Sequence, residues 1–253
     1  MASRGWNLRR RDRVARGVCG RPDSKQAADA AGGGRAAAWL ETLRTGSPIA
    51  ERAAAVAAHP DDEVVGLGLR LAMFEDLILI HATDGAPNDM GDARRAGFAD
   101  REAYARARAA ELDAGLAALG AAPRRAALGL RDQTAAFCLV EMVARLRELL
   151  ADAALALTHA YEGGHPDHDA CAFAVQLACE SLAAEGRPAP VRLEFAGYHM
   201  APSGQAAASW SSLSTSKGKV GWPSRPLKPR TAYGLLSQRG SLYHRPEAGS
   251  CVI

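Results

Sequence analysis

Hydrophobic and polar positions along the chain alternate between two periods. Short apolar runs at 53–58, 77–82, 126–130, 154–158 and 191–198 are bounded by polar residues, as buried strands are. Between them, residues 63–73, 101–119, 137–150 and 168–184 repeat their apolar positions at helical spacing, and 39–43 suggests a short helix ahead of the first strand. Leu77-Ile78-Leu79-Ile80-His81-Ala82 is the plainest strand. The run 53–58 is nearly all alanine, a poor strand former, so the polar motif behind it carries much of that assignment. Residues 101–119 are rich in Ala, Arg, Glu and Leu and stop at Gly120, a helix with its C-terminal cap. Strands alternating with helices predict βαβ units and a mostly parallel sheet, an α/β fold.

In such a sheet, ligands sit outside the carboxyl ends of the strands. Three polar motifs fall at such ends. Ala58-His59-Pro60-Asp61-Asp62-Glu63 follows the first strand, Thr83-Asp84-Gly85 the second, and His165-Pro166-Asp167-His168-Asp169 the fourth. Pro60 biases His59 towards extended dihedrals, which suits a strand end. The long polar loop 86–97 is of the kind that borders an active site. The two His-Pro-Asp clusters supply imidazoles and carboxylates, enough for three metal ligands with a position left for water. A further carboxylate can take that water's proton, and a histidine can steady an oxyanion or protonate a leaving amine. Spacing alone leaves open which aspartate binds and which acts as base.

Taken in order over roughly 53–200, these motifs resemble the LmbE-like, or PIG-L, family of metal-dependent de-N-acetylases. Arg108-Ala109-Ala110-Glu111 is also similar to that family's Arg-x-x-Glu helix. The resemblance implies a Rossmann-like three-layer fold, a zinc ion (Fe²⁺ being a possible substitute) and hydrolysis of an N-acetyl group on an amino sugar such as N-acetylglucosamine. Position by position it implies His59, Asp62 and His168 as metal ligands. It makes Asp61 the general base and His165 the residue that stabilises the tetrahedral intermediate. Arg108 and Asp132 are implied to contact substrate, and Asp84 to position its neighbours from outside the ligand set. Gly163 stands two residues before His165, where some family members carry an aromatic hydroxyl, and the resemblance ends near residue 200.

Charge and composition refine the domain picture. Residues 1–35 carry nine Lys/Arg against three Asp/Glu, and 201–253 seven against one; between them, 36–200 has fifteen Arg, no Lys and twenty-four acids. The tail 201–253 holds ten serines against two in 36–200. The reading is an acidic deacetylase domain, 36–200, between two basic extensions expected to be disordered, with Gly32-Gly33-Gly34 as a linker. The basic ends read as solvated tails in preference to arms for nucleic acid. Five cysteines without CxxC spacing suit reduced thiols and a cytoplasmic protein, and no stretch has the apolar length of a membrane span. The partner implied is a small amino-sugar or glycoconjugate substrate. A metal-dependent amidase on a non-sugar metabolite and a non-catalytic binding relative are the alternatives.

Overall fold

The computed structural model describes residues 24–196 together with three short strands at 198–200, 206–208 and 213–214. The two expected extensions lie mostly outside these residues. Helix α1, Ser24–Thr45, runs through Gly32-Gly33-Gly34, where the sequence suggested a linker. Glycine inside a helix costs roughly 1 kcal/mol relative to alanine. Packing of Ala36, Leu40 and Leu43, all buried, offsets that cost at the helix's C-terminal half.

From there the elements are β1 (Ala53–Ala57), α2 (Asp62–Gly66), β2 (Leu77–Thr83), α3 (Gly91–Arg95), α4 (Arg101–Leu119) and β3 (Arg124–Leu130). They are followed by α5 (Leu139–Leu150), β4 (Leu155–His159), α6 (Pro166–Ala184) and β5 (Val191–Phe195). Five parallel strands lie in the order β3-β2-β1-β4-β5. The short β8 (Leu213–Ser214) pairs antiparallel with β5, and β6 (Tyr198–Met200) and β7 (Ala206–Ala208) form a separate pair.

One expected helix is broken. Residues 63–73 divide into α2 and a 3₁₀ turn, Gly68–Met73, because Gly68 takes a left-handed φ of 54°. Helical spacing survives the break well enough to bury Leu67 and Leu71, which is why the sequence pattern reads as continuous.

Alternation along the strands sorts the core into two layers. Ala53, Ala55, Leu77, Leu79, Leu155 and Leu157 face α1, α2 and α4, where Leu43, Leu67, Leu112 and Leu116 are buried. Ala54, Val56, Ile80 and Ala156 face α5 and α6, against Met142, Leu146, Val175 and Leu182. Every residue of β1 is buried, so its alanines let both helix layers approach the central strand closely. The chain winds outward from β1 in both directions, through β2–β3 on one side and β4–β5 on the other. The strand order therefore reverses between β1 and β4, and the crevice at their carboxyl ends is the position at which such sheets bind ligands.

Candidate metal centre

β1 ends at Ala57, and its two neighbouring strands take over the backbone of the next residue. The Ala58 N–H donates to Nε2 of His159, the last residue of β4 (3.0 Å). The Ala58 carbonyl accepts from Thr83, the last residue of β2, through its N–H (2.9 Å) and its hydroxyl (3.0 Å). A tight turn follows: the His59 N–H donates to Asp62 Oδ2 (2.8 Å) and the Asp62 N–H to the His59 carbonyl (3.3 Å). Within it Asp61 has φ 133° and ψ −23°, a sparsely populated conformation costing roughly 1–3 kcal/mol unless its surroundings impose it. Arg108, reaching over from α4, supplies the restraint: Nη2 donates to the Pro60 carbonyl (2.9 Å) and lies 2.9 Å from Asp61 Oδ1. Gly85 closes the other side. Its φ is +63°, and a Cβ there would sit 2.9 Å from Pro60 Cδ, so the Thr-Asp-Gly motif ends in glycine for both reasons.

Asp62 is the hub of the polar cluster. Its Oδ2 lies 3.2 Å from His59 Nδ1 and its Oδ1 3.3 Å from His168 Nε2. The far nitrogen of His59, Nε2, lies 3.1 Å from Asp132 Oδ1 and 3.4 Å from Asp167 Oδ2. Nitrogens of His59, His165 and His168 come within 4.8 Å of one another, as do donor atoms of Asp62, His159 and His168, and of His59, Asp132 and Asp167. The second cluster is carried on the first turn of α6, with Pro166 at its N-terminus. His165 caps that helix, its Nδ1 accepting the Asp167 N–H (3.2 Å). Asp167 is wholly buried and accepts the N–H groups of Gln133 (2.7 Å) and Ala135 (3.1 Å), while Asp169 accepts those of Glu162 and Gly163. Below the site, buried Glu63 and His81 meet at 3.0 Å.

Burial and charge pull these groups in opposite directions. For Asp62, burial raises the pKa, but the imidazoles around it outweigh burial and hold the carboxyl well below its usual range. For His59, burial opposes the charged ring, yet Asp132, Asp167 and Asp62 carry its pKa well above the ordinary value. Burial takes His159 down to about 4; His165 is lowered by burial and by the rings of His59 and His168. Asp61, half-exposed, is raised, by partial desolvation first and by Asp62 and Glu63, against the pull of Arg108. Asp167 is lowered: burial is overcome by His59 and the Gln133 N–H. An anionic carboxylate gripped between two imidazoles is a donor set that suits a divalent cation, zinc or iron among them. Asp62 turns one oxygen to His59 and the other to His168, and the donor groups that come within 4.8 Å overlap on these three residues without uniting them in one group.

Of the residues singled out in the sequence, His59, Asp61, Asp62, His165 and His168 lie together at the crevice. Arg108 lies beside Asp61, and Asp132 is buried against His59. Asp84 faces elsewhere, accepting from Arg101 Nη2 (2.7 Å) and the Ala86 N–H (3.2 Å), which ties the Thr-Asp-Gly turn to the start of α4. Two residues of the cluster gained no role from the sequence. They are Asp167 and His159, and only the adjacency of β4 to β1 brings His159 under the site.

Residues 54–179 match the family model described as GlcNAc-PI de-N-acetylase, PIG-L. The chain carries a PIG-L family domain. That match runs from β1 into the last third of α6 and so takes in every residue of the polar cluster. Among solved structures, an antimicrobial pseudoaglycone deacetylase is 23% identical, with a TM-score of 0.46, over 64% of this chain and 69% of that one. The N,N'-diacetylchitobiose deacetylase of Pyrococcus horikoshii is 21% identical, with a TM-score of 0.40, over 58% and 60%. The 4-carboxy-2-hydroxymuconate hydratase of Pseudomonas putida is 20% identical, with a TM-score of 0.43, over 56% and 65%. No curated protein matched.

Proposed function

We propose that this PIG-L domain is a metal-dependent hydrolase that removes the acetyl group from an N-acetylglucosamine-type amide and releases acetate. The observation that carries the reading is the convergence of His59, Asp62 and His168 at the switch point of the sheet, with Asp61 beside them in a strained conformation. The sugar and the choice of zinc rest on the family's description and resemblance.

His59, Asp62 and His168 would hold the ion, His59 through Nδ1, the nitrogen on the Asp62 side. A divalent ion bound there supplies Lewis acidity that makes water a competent nucleophile near neutral pH. Asp61 takes the proton of the attacking water. Its Oδ1 is engaged by Arg108, so Oδ2 is the oxygen assigned to this step. The raised pKa of Asp61 moves it towards the operating pH, as a general base requires. His165 accepts at Nδ1 and is held neutral, so its proton sits on Nε2, which donates a hydrogen bond to the carbonyl oxygen as charge develops, and the proton taken up by Asp61 passes to the leaving amine. His59 donates its Nε2–H to Asp132, which fixes the ring orientation.

Arg108 and Asp132 remain the residues assigned to substrate hydroxyls, through atoms not already engaged with Asp61 and His59. Asp84 acts at one remove, through Arg101. The cysteines described, Cys138, Cys171 and Cys179, are unpaired, which supports a reducing, cytoplasmic setting. No helix among the described residues is long and apolar enough to cross a membrane.

The test is acetate release from N-acetylglucosamine conjugates by the zinc-loaded chain. Release that disappears on chelation and in Asp61→Ala supports the reading. No release from acetylated sugars by a zinc-loaded, folded chain overturns it.

A further inference from the structure

His159 is the residue of the cluster for which neither ligation nor acid–base chemistry has a use. It is 1% exposed, so water does not reach it. Its Nε2 accepts the Ala58 N–H at 3.0 Å, which requires the neutral ring with its proton on Nδ1. That Nδ1–H has no hydrogen-bond partner among the described residues. An orphaned buried donor is destabilising, so stability alone would favour an apolar residue here. The same Nε2 lies 3.4 Å from Asp62 Oδ2. With its lone pair committed to Ala58 it neither donates to that carboxylate nor coordinates an ion, although it lies among the donor atoms.

What the ring does contact is the metal set from below. It stacks on His168 with centroids 4.0 Å apart and planes 15° from parallel, and Phe195 lies 4.8 Å away with its ring tilted by 57°. At its edge it holds the N–H of Ala58, the residue immediately before His59. The carbonyl of Ala58 is held from the opposite strand by Thr83. One imidazole thus fixes the plane of one ligand histidine and, through the backbone, the starting point of the turn that carries the other two ligands.

We infer that His159 is a positioning residue of the metal centre: a neutral, non-ligating histidine that sets the geometry of His168 by stacking and of the His59–Asp62 turn through the Ala58 N–H. This rests on the reading of His59, Asp62 and His168 as ligands. Residues that orient metal ligands from behind typically change metal affinity by about 10–100-fold when replaced.

The experiment is a zinc titration of the metal-free chain against a chromophoric chelator, with Co²⁺ absorption spectra as a second readout. His159→Phe keeps a ring to stack and removes the acceptor; His159→Gln keeps an acceptor and removes the ring. Thermal unfolding identifies the variants that fold, and either one suffices. The expected result is zinc binding weakened about 10–100-fold in each folded variant, with an altered Co²⁺ spectrum. Wild-type affinity and an unchanged spectrum in a folded variant would overturn the inference and leave His159 a core filler. Loss of zinc as complete as in His168→Ala would also overturn it, by making His159 a ligand. If the wild-type chain itself takes up no zinc, the metal-centre reading fails and the inference with it.

Discussion

The tripeptide His-Pro-Asp occurs twice in the site, and its two copies behave in opposite ways. In His59-Pro60-Asp61 the aspartate side chain is 48% exposed and faces Arg108 from a strained φ of 133°. In His165-Pro166-Asp167 the aspartate is fully buried and occupied by two backbone N–H groups from the loop after β3. The histidines differ as well: His59 is pulled between carboxylates on both ring nitrogens, whereas His165 spends Nδ1 on capping α6. The side chains are the same, so the difference comes from the backbone beneath them. The first copy sits on a turn between a strand and a short helix; the second forms the regular start of a long helix. The first presents a half-exposed carboxylate beside Arg108, and the second uses its carboxylate to hold the site together.

That contrast can be broken most decisively at Asp61. Asp61→Ala should lower kcat by about 10²–10⁴-fold, the usual worth of a positioned general base, while metal content stays near wild type. If metal is lost in parallel with turnover, Asp61 is a ligand and the two aspartates of the first cluster have been assigned the wrong way round.

Asp167→Asn should act on stability. The amide can keep one accepting oxygen but loses the charge that faces His59, so urea unfolding of the metal-free chain should show a loss of about 1–3 kcal/mol at neutral pH. The pH dependence has a definite sign. The folded-state pKa of Asp167 lies below its unfolded value, so its stabilisation is complete above the unfolded pKa, near 4, and is lost as pH falls through the lower folded value. The gap between wild type and Asp167→Asn should therefore shrink on acidification below about pH 4. A gap that widens there would contradict the assignment of Asp167 as an ionised structural acid.

Gly85→Ala should have the smallest effect, about 1–2 kcal/mol from the left-handed conformation, with a loss of activity because its Cβ presses on Pro60 beneath Asp61. Unchanged activity in Gly85→Ala would show that the strained turn tolerates displacement.

Much of this arrangement is legible in the sequence where local pattern and tertiary role agree. β2 announces itself by Leu77-Ile78-Leu79-Ile80, α4 by its composition and Gly120, and the placing of the polar clusters at strand ends follows from βαβ alternation. Legibility fails where the deciding contact is distant in the chain. Nothing near Asp167 signals that the N–H groups of Gln133 and Ala135 will bury it. Nothing near His159 signals that β4 lies beside β1 and not at the sheet edge. The break at Gly68 is hidden because the 3₁₀ turn keeps nearly the apolar spacing of a helix. The helix through Gly32-Gly33-Gly34 contradicts local propensity, and the buried residues Leu40 and Leu43 that anchor it lie two to three turns further on.

Whether the two clusters form one metal centre is tested most directly by the metal content of the purified chain after mild dialysis, set beside that of His168→Ala. About one zinc or iron per wild-type chain is expected, and essentially none in the variant. A folded wild-type chain that holds no divalent ion and takes none up when offered would contradict a shared metal centre.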